Sequence, residues 1–588
     1  MTTAQHGFAY KLLKLMVPKE RRALTVLLGL TVIGTLLETL SVGLIIPALA
    51  FMTSNNVAGK YPFIKPFLRS IGNPDQVHLI VYGMLAFVLG YAVKTSFMLF
   101  LAWRQGQFLF GLHAGLSQRL FSSYLRQPYT FHLQRNSAQL VRNITVEINA
   151  FTNAAQASVS ILTECSVLFG ITLLLFAVEP LGMAIVCAAT SLAAWGFQKS
   201  LRARILNWGR QRQYHEGLRL QHVQQGLGSV KDIKLLGREE AFLDSYILHS
   251  LGTSTVQKRQ FFVQQMPRLW LELLSVIALA LVIFAMLANG VPVSGLLPVV
   301  GLFGAAAFRM LPSVNRSMVA LQQARFAFPV IELLYQELCE LAPPPFAHSD
   351  RQMPFSRAIT VEHLHFQYEK AGSPALSDIN LTIPHGTSVG FVGGSGAGKS
   401  TLIDVILGLL PASSGRVCVD GIDIRGDLRA WQNCIGYVPQ SIFLTDDSLR
   451  RNIALGLKDA EIDEVRIQRA LRQARLEEFV ASLPEGLETM VGERGVRLSG
   501  GQRQRIGIAR ALYHGPEVLV LDEATSALDN DTEKGVMEAI DAMHGQKTIL
   551  IIAHRLSTIA GCDKLVRLQH GQLMAEPGTT ALDGASEQ

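Results

Sequence analysis

The stretch Gly393-Gly394-Ser395-Gly396-Ala397-Gly398-Lys399-Ser400 decides the fold of the second half of the chain. It fits the pattern G-x-x-x-x-G-K-S, follows the apolar run 389–392 and opens the helix-like run 402–406. In that context the glycines let backbone N–H groups close around phosphates at the start of a helix. Lys399 is then expected to reach the β- and γ-phosphates, and the Ser400 hydroxyl to ligate Mg²⁺. The sequence therefore predicts a nucleoside triphosphate site.

The surroundings of this loop predict an α/β domain. From residue 358 onward, strand-like runs such as 518–521 and 548–553 alternate with helical ones. The run 518–521 ends in Asp522 and Glu523, about 120 residues after the phosphate loop. Asp522 is suited to holding Mg²⁺ and Glu523 to polarising an attacking water. Together the two motifs predict hydrolysis of ATP.

A third motif connects the second half to a known family. Leu498-Ser499-Gly500-Gly501-Gln502 reproduces the signature L-S-G-G-Q, and residues 358–575 resemble the ABC ATPases throughout. The resemblance implies that Tyr368 stacks on adenine and that His554 contacts the γ-phosphate. It also implies that Gln440 of Tyr437-Val438-Pro439-Gln440 senses Mg²⁺. The residues implied to contact the nucleotide are 393–400, Thr401, Ser499, Gly500, Gly501, Gln502 and Asp529. The implied catalytic set is Glu523, His554 and Gln440, and the implied metal set is Ser400, Gln440 and Asp522. The implied cofactors are ATP and Mg²⁺.

In this family two ATPase domains sandwich ATP, each supplying the signature to the other's phosphate loop. The chain carries one such domain, and its motifs show no degenerate half-site. The resemblance therefore implies a homodimer, with a heterodimer as the alternative.

The first half is predicted to be a membrane domain. Of the 588 residues, 49% are hydrophobic and only 17% charged, whereas soluble domains usually carry about a quarter charged residues. Six apolar runs, each close to the roughly 20 residues that a spanning helix needs, lie at 23–52, 78–103, 157–178, 181–197, 270–288 and 295–313. Six such runs disfavour a soluble ABC ATPase.

The distribution of cations predicts the orientation. Lys and Arg cluster before the first run and in the connections after the second and fourth runs, whereas the third and fifth connections have none. The positive-inside rule then places both termini and the ATPase domain in the cytoplasm, at the inner (plasma) membrane. The same clustering explains the net charge of +7 by loops that face the negatively charged membrane surface, and binding to nucleic acid is not needed to explain it.

The resulting organisation is a helical exporter-type transmembrane domain of six spans followed by an α/β P-loop ATPase domain. We expect the transmembrane domain at 1–325, a linker at 326–357 around Pro343-Pro344-Pro345, the ATPase domain at 358–577 and a disordered tail at 578–588. Segments 128–132 and 228–234 resemble the coupling regions through which exporters of this family touch the ATPase. The order of the two halves, with the membrane domain before the ATPase domain, resembles that of exporters and disfavours a role in uptake.

Short segments of the membrane half resemble bacterial PglK-type flippases, which move oligosaccharides linked to polyprenyl pyrophosphate. They are Glu38-Thr39-Leu40 with Ile46-Pro47, Pro267-Arg268 with Glu272, and the run 308–316. Lys94, Arg268 and Arg309 lie in or near three different spans, where charges are costly and usually mark a pathway. Facing one cavity, they would form a cationic belt for pyrophosphate and sugars.

Other interpretations of these cations remain open. Arg268 and Glu272 are four residues apart and can neutralise each other, and Lys94 can extend to the interface. Glu38 and Glu164 are expected to be counter-ions or packing groups. The alternative to a flippase of lipid-linked oligosaccharides is an exporter of another amphiphile, such as a glycolipid, a drug or a peptide.

Overall fold

The computed structural model describes residues 7–43, 76–178, 180–288, 293–341, 351–369, 371–492, 495–523, 530–553, 555 and 559–574. The chain divides into two compact units. One comprises residues 1–127 and 131–344, and the other comprises 128–130 and 345–588. The division between the units at 344/345 falls inside the predicted linker, and the predicted tail lies outside the described residues. Three residues of the first predicted coupling segment, 128–130, are grouped with the second unit.

The first unit is helical in the parts that the structure describes. Its helices are α1 Phe8–Leu15, α2 Pro18–Gly43, α3 Gln76–Arg126, α4 Tyr129–Gln134, α5 Ser137–Arg142, α6 Ile148–Val178, α7 Pro180–Gly228, α8 Val230–Leu236, α9 Glu239–Ala288, α10 Val293–Phe326 and α11 Phe328–Tyr335. Single π-helical turns, Asn143–Glu147 and Gln336–Glu340, follow α5 and α11.

Each of the six predicted spans falls on one of the long helices. Within the described residues, three segments are long and apolar enough to cross a membrane by length and composition: Pro18–Ser41, Val81–Arg126 and Ser137–Leu173. They contain all or most of the described parts of the first three predicted spans, and α7, α9 and α10 contain the other three. The predicted helical membrane domain is confirmed.

Apolar helices must satisfy their polar groups internally, and α2 shows how this is done. The hydroxyls of Thr31, Thr35 and Thr39 each donate to the carbonyl four residues earlier, at 2.9, 3.0 and 2.9 Å. No hydroxyl in this row is left without a partner, which matters because an unpaired polar group in hydrocarbon costs several kcal/mol. The long helices pack in pairs, with α6 along α10 and α7 along α9.

The segment that follows the last span is tied to the rest of the first unit. Lys11 of α1, only 3% exposed, forms an ion pair with Glu332 of α11. Arg135, just after α4, pairs with the buried Glu337 at 2.6 Å. The Gln127 amide, just before α4, donates to the Leu341 carbonyl at 2.5 Å. These contacts join the exit from the membrane helices to both sides of the first predicted coupling segment.

The second unit is an α/β domain with two sheets. Its strands are β1 Ala358–Phe366, β2 Leu376–Pro384, β3 Ser388–Val392, β4 Ser414–Val419, β5 Ile422–Asp423, β6 Ile435–Val438, β7 Val518–Asp522, β8 Thr548–Ile552, β9 Lys564–Gln569 and β10 Gln572–Leu573. Its main helices are α12 Lys399–Ile406, α13 Leu428–Gln432, α14 Leu449–Ile453, α15 Glu464–Gln473, α16 Glu477–Ser482, α17 Gly500–Leu512 and α18 Asn530–Asp541.

Strand order places the chemical motifs at one edge. An antiparallel sheet has the order β2-β1-β4-β5, and a second sheet has the order β10-β9-β3-β8-β7-β6. In the second sheet β9, β3, β8, β7 and β6 are parallel, so their carboxyl ends meet at one edge. The phosphate loop begins directly after β3. Asp522 is the last residue of β7 and Glu523 follows it, and Gln440 lies two residues after the end of β6. Ligands of open parallel sheets bind at this edge.

Candidate functional site

The phosphate loop adopts a backbone that only glycine permits. Gly393, Gly396 and Gly398 have φ values of 152°, 77° and 101°, in the region that side chains with a Cβ rarely adopt. A Cβ on Gly393 would lie 2.3 Å from the Leu568 carbonyl oxygen of β9, which is backbone and cannot move aside. The loop borders a cavity of about 620 Å³ whose other wall is residues 567–570.

Lys399 is placed at the start of α12 and folds back over the loop. Its side chain is 6% exposed, and Nζ donates to the carbonyls of Gly393 at 2.7 Å and Gly394 at 3.1 Å. The ammonium group is therefore desolvated and held among the predicted phosphate contacts. Phosphate oxygens arriving in the loop would meet a preplaced cation and the free N–H groups of the α12 terminus.

Tyr368 lies beside the same helix. Its hydroxyl is 3.2 Å from the Thr401 hydroxyl, and its ring packs edge-on against Phe366 at 4.9 Å between centroids. The ring remains 38% exposed, so an aromatic face stands next to the phosphate loop. This position fits the predicted stacking on adenine.

The two predicted acids lie at the end of β7 and directly after it, and they are contacted by Tyr437 of β6 and by Gln440, which follows β6. The Gln440 amide donates to Glu523 Oε2 at 2.6 Å, and the Tyr437 hydroxyl donates to Asp522 Oδ2 at 3.3 Å. Glu523 has a left-handed φ of 48°, and its N–H donates to the Ile552 carbonyl of β8 at 2.9 Å. The structure thus brings Gln440 and Glu523 together as a bonded pair.

Negative charge is concentrated around Asp522. Burial raises the pKa of Asp522, the hydrogen bond from Tyr437 and the Lys399 charge oppose that rise, and Glu523 adds to it. Burial and the nearby Asp522 charge raise the pKa of Asp404, on α12, to about 6. Asp404 was missed by sequence reasoning, since a lone acid in a helix carries no motif; its place one turn after Ser400 is the only sequence signal.

This cluster fits a divalent cation. Ser400, Gln440 and Asp522 offer a hydroxyl, an amide and a carboxylate, which are the hard oxygen ligands that Mg²⁺ takes alongside substrate phosphates. The crowding of Asp522 by Asp404 and Glu523 is the kind of negative excess that a bound Mg²⁺ offsets. Among the described residues there is no cluster of three or more His, Cys, Asp or Glu side chains with metal-binding geometry.

The signature segment forms a capped helix terminus. The Ser499 hydroxyl accepts from the Gln502 N–H at 3.2 Å, and the Gln502 side chain accepts from the Ser499 N–H at 2.8 Å. This reciprocal capping box starts α17 at Gly500. Gly501 is buried and Gly500 is exposed, so the positive end of the helix dipole is open to an anionic group. His554 and Asp529 lie outside the described residues.

In the first unit, the cations are held by carboxylates. Lys94 of α3 lies 3.8 Å from Glu38 of α2, with its ammonium 5.1 Å from the centre of the Tyr91 ring. Arg268 pairs with Glu272 at 3.1 Å, and both are exposed. Arg309 falls on α10, but its side chain is outside the described part.

A further ion pair joins α6 and α10. Arg316 bonds both carboxylate oxygens of Glu164, at 2.5 and 3.0 Å. Glu164 is therefore a counter-ion, as expected, and its partner is a cation that sequence reasoning quoted only as part of the run 308–316. The Arg316 side chain remains 54% exposed.

Comparison with known proteins gives consistent matches in both halves. The model of the ABC transporter transmembrane region matches residues 24–291, and the ABC transporter model matches residues 376–526. The ATP-dependent lipid A-core flippase of Ralstonia nicotianae is 32% identical over 483 residues, which cover 79% of this chain and 78% of that protein. The protein of the same name from Alkalilimnicola ehrlichii is 32% identical over 484 residues, with the same coverage.

Two further matches extend this result. A putative multidrug export ATP-binding/permease protein of Bacillus subtilis is 46% identical over 222 residues, which are 38% of each protein. The solved structure of a bacterial Atm1-family ABC exporter with ATP bound has a TM-score of 0.77 over 94% of both chains, at 21% identity. At that identity the structural match shows the fold.

Proposed function

This chain belongs to the ABC transporter family as an ATP-hydrolysing exporter, and we propose that it flips a polyprenyl-pyrophosphate-linked oligosaccharide across the bacterial inner membrane. The observation that carries this proposal is a set of cations retained in or near the spans, each beside a carboxylate: Lys94 with Glu38, Arg268 with Glu272, and Arg316 with Glu164. A charge at the centre of a spanning helix costs about 2.5–3.5 kcal/mol on insertion scales; Lys94 lies inside the predicted span 78–103, and Arg268 and Arg316 lie just beyond the ends of theirs. Their presence favours a substrate that needs them.

The chemistry of these pairs suits a pyrophosphate. The side chain of Arg268 is 69% exposed and that of Arg316 is 54% exposed, so neither side chain is enclosed by packing within the chain. A guanidinium group can bind phosphate through two parallel hydrogen bonds. In the absence of substrate the carboxylates neutralise the cations, and an arriving pyrophosphate can replace or share them. Lys94, Arg268 and Arg309 are the predicted belt.

The relatives support an amphiphilic substrate with a sugar-bearing head. Two of them are named as flippases of lipid A-core, a class of substrate that joins a lipid tail to a charged saccharide. Export of another amphiphile is the second candidate, favoured by the relative that is named as a putative multidrug exporter. That match covers 38% of each protein, whereas the match to the Ralstonia flippase covers 79% of this chain.

For the ATPase, we assign the roles that the geometry of the site supports. Lys399 and the N–H groups of the phosphate loop bind the β- and γ-phosphates, and Tyr368 stacks on the adenine. Glu523 polarises the attacking water, and Gln440 orients the Glu523 carboxylate through their 2.6 Å bond. Mg²⁺, held by Ser400, Gln440 and Asp522, would neutralise phosphate charge. His554 is proposed to contact the γ-phosphate.

We propose that two copies form the working transporter. A single chain provides one phosphate loop and one signature, and the open terminus of α17 at Gly500 would face the γ-phosphate held by the partner copy. Two copies supply twelve spans and two ATP sites. A chain carrying an intact Glu523 and an intact signature needs no second kind of subunit.

Coupling between the halves is proposed to run through α4 and α8. On α8, Leu235 and Leu236 are 77% and 70% exposed, an apolar surface on a short cytoplasmic helix that favours a docking partner. Residues on both sides of α4 bond to the segment that follows the last span: Arg135 pairs with Glu337, and Gln127 donates to the Leu341 carbonyl. Movement at α4 would thereby reach the membrane helices.

The test is reconstitution of the purified protein in liposomes. Lipid-linked oligosaccharide should stimulate ATP hydrolysis and be translocated, whereas a simple glycolipid and a drug should do neither. Arg268→Ala should impair translocation and leave basal hydrolysis intact. The matched control is Arg259→Ala, an exposed arginine nine residues earlier on the same helix. Stimulation by drugs but not by pyrophosphate-linked lipid would favour the second candidate.

A further inference from the structure

Tyr437 lies on β6, next to the strand that carries the two acids of the ATP site. In the parallel pairing of β6 with β7, Tyr437 is in register with Val520, and Val438 with Leu521. The Tyr437 hydroxyl reaches the end of β7 and lies 3.3 Å from Asp522 Oδ2. The motif roles described above give Gln440 a function but leave this tyrosine without one.

We propose that Tyr437 is a positioning residue that holds the carboxylate of Asp522 in the orientation that binds Mg²⁺. Its hydroxyl occupies one carboxylate oxygen, Oδ2, and leaves the other, Oδ1, to face the cation and its waters. The inference concerns ATP hydrolysis and is independent of which substrate is transported.

The surroundings keep the tyrosine in place. Its ring is partly buried and packs against the hydrophobic core between the two sheets, so the ring has little freedom to turn away. The phenol hydroxyl is thereby held within hydrogen-bond distance of Asp522 Oδ2 as a donor.

The position of Asp522 explains why it needs such a donor. Its carboxylate is partly buried, Glu523 adds negative charge nearby, and Asp404 is close enough to interact electrostatically with it. Without a hydrogen bond, a crowded and desolvated carboxylate would rotate away from its like-charged neighbours or take up a proton. Partners that orient a metal ligand typically contribute 10- to 100-fold in metal affinity or activity. The 3.3 Å length of this bond places Tyr437 at the lower end of that range.

Strand β6 and the residues directly after it therefore hold the two acids by different means. Gln440 orients Glu523, the acid that acts on water, and Tyr437 orients Asp522, the acid that faces the cation. A change at Tyr437 should alter the use of Mg²⁺ and leave the adenine and phosphate contacts intact. This separation makes the role measurable.

The experiment uses the full-length Tyr437→Phe protein, which keeps the ring and loses only the hydroxyl. The Mg²⁺ concentration for half-maximal ATP hydrolysis should rise about tenfold, and kcat should recover at saturating Mg²⁺. Binding of a fluorescent ATP analogue in EDTA should be unchanged, whereas the tightening of that binding by Mg²⁺ should be reduced.

A matched control is Tyr513→Phe. The Tyr513 hydroxyl accepts from the Asp463 N–H at 2.9 Å in the same unit, so its loss tests the general cost of removing a partly buried phenol. This variant should keep the wild-type Mg²⁺ dependence. The proposal is overturned by a wild-type Mg²⁺ dependence in Tyr437→Phe, by an equal shift in the control, or by equal loss of analogue binding with and without Mg²⁺.

Discussion

Replacing Glu523 by glutamine tests whether this carboxylate activates the attacking water. Glutamine has nearly the same size, and its carbonyl oxygen can accept the 2.6 Å bond that the Gln440 amide now donates to Oε2. The left-handed backbone at Glu523 is held by its N–H bond to Ile552 and does not depend on the side-chain charge. The variant therefore keeps the site and loses only the basic group.

The expected loss follows from the role of a general base. Such a group contributes about 10²–10⁴-fold to the rate, which corresponds to about 3–5 kcal/mol of barrier at 1.36 kcal/mol per tenfold. Because the variant leaves the phosphate loop and Lys399 untouched, nucleotide binding should persist. Glu523→Gln should thus turn over ATP at least about 100-fold more slowly and accumulate as a species with trapped ATP.

The assay measures steady-state phosphate release and ATP retained after rapid removal of free nucleotide. Glu517→Gln is the matched control, since Glu517 lies just before β7 in the same domain, and its side chain is 44% exposed. Control turnover should equal that of the wild type. Wild-type turnover in Glu523→Gln would refute the assignment of the base, and loss of ATP binding would show that the substitution disturbs the site itself.

Two further predictions concern stability, and a third concerns nucleotide binding. Hydrogen bonds from residues 356–358 outweigh the effect of burial and lower the pKa of Asp420 to about 2. The Asp420 carboxylate therefore stabilises the folded protein fully above about pH 4, and this stabilisation is lost as pH falls towards 2. Asp420→Asn should lower the thermal midpoint at pH 7, and the difference from the wild type should vanish near pH 2. Glu147 is fully buried and pairs with Arg212 at 2.7 Å. Glu147→Ala should destabilise the protein by about 3–5 kcal/mol, because it leaves a buried cation without its partner. Thermal denaturation in detergent measures this loss. Gly393→Ala should abolish binding of the fluorescent ATP analogue, because its Cβ meets the Leu568 carbonyl at 2.3 Å.

Each of these predictions has a contrary outcome. A pH-independent effect of Asp420→Asn would show that its hydrogen bonds do not act through charge, and an unchanged midpoint for Glu147→Ala would mean that solvent reaches the arginine. For Gly393→Ala the control is Gly372→Ala, where a Cβ meets nothing within 4 Å. Normal analogue binding by Gly393→Ala would contradict the steric argument.

The conformation of the phosphate loop was largely predictable because its motif encodes local geometry. A glycine-rich turn between a strand and a helix has few possible conformations, and the observed loop and its Lys399 follow that expectation. The same holds for two acids after a buried strand. The sequence could not show that Tyr437 contacts Asp522 or that Asp404 crowds it, since these contacts depend on which strands and helices become neighbours.

In the membrane half, the sequence predicted the helices but not the ion pairs between them. Apolar run lengths predicted the helices, because a backbone in hydrocarbon must bond to itself. Which charges meet was not predictable across helices: Arg268 and Glu272 pair within one turn of α9 as their spacing allowed, whereas Glu38 finds Lys94 and Glu164 finds Arg316 on other helices.

The amino-acid sequence by itself thus determined the membrane half and the ATPase half, and it predicts the nucleotide chemistry and the orientation of the chain in the membrane. All of these depend on hydrophobicity, charge and backbone freedom within a few turns of chain. Only the tertiary structure decided that Tyr437 of β6 contacts Asp522, that Lys94 meets Glu38 and that Arg316 meets Glu164. Those pairings join residues tens to more than a hundred positions apart, such as Glu164 and Arg316, because they are set by the packing of whole helices and strands.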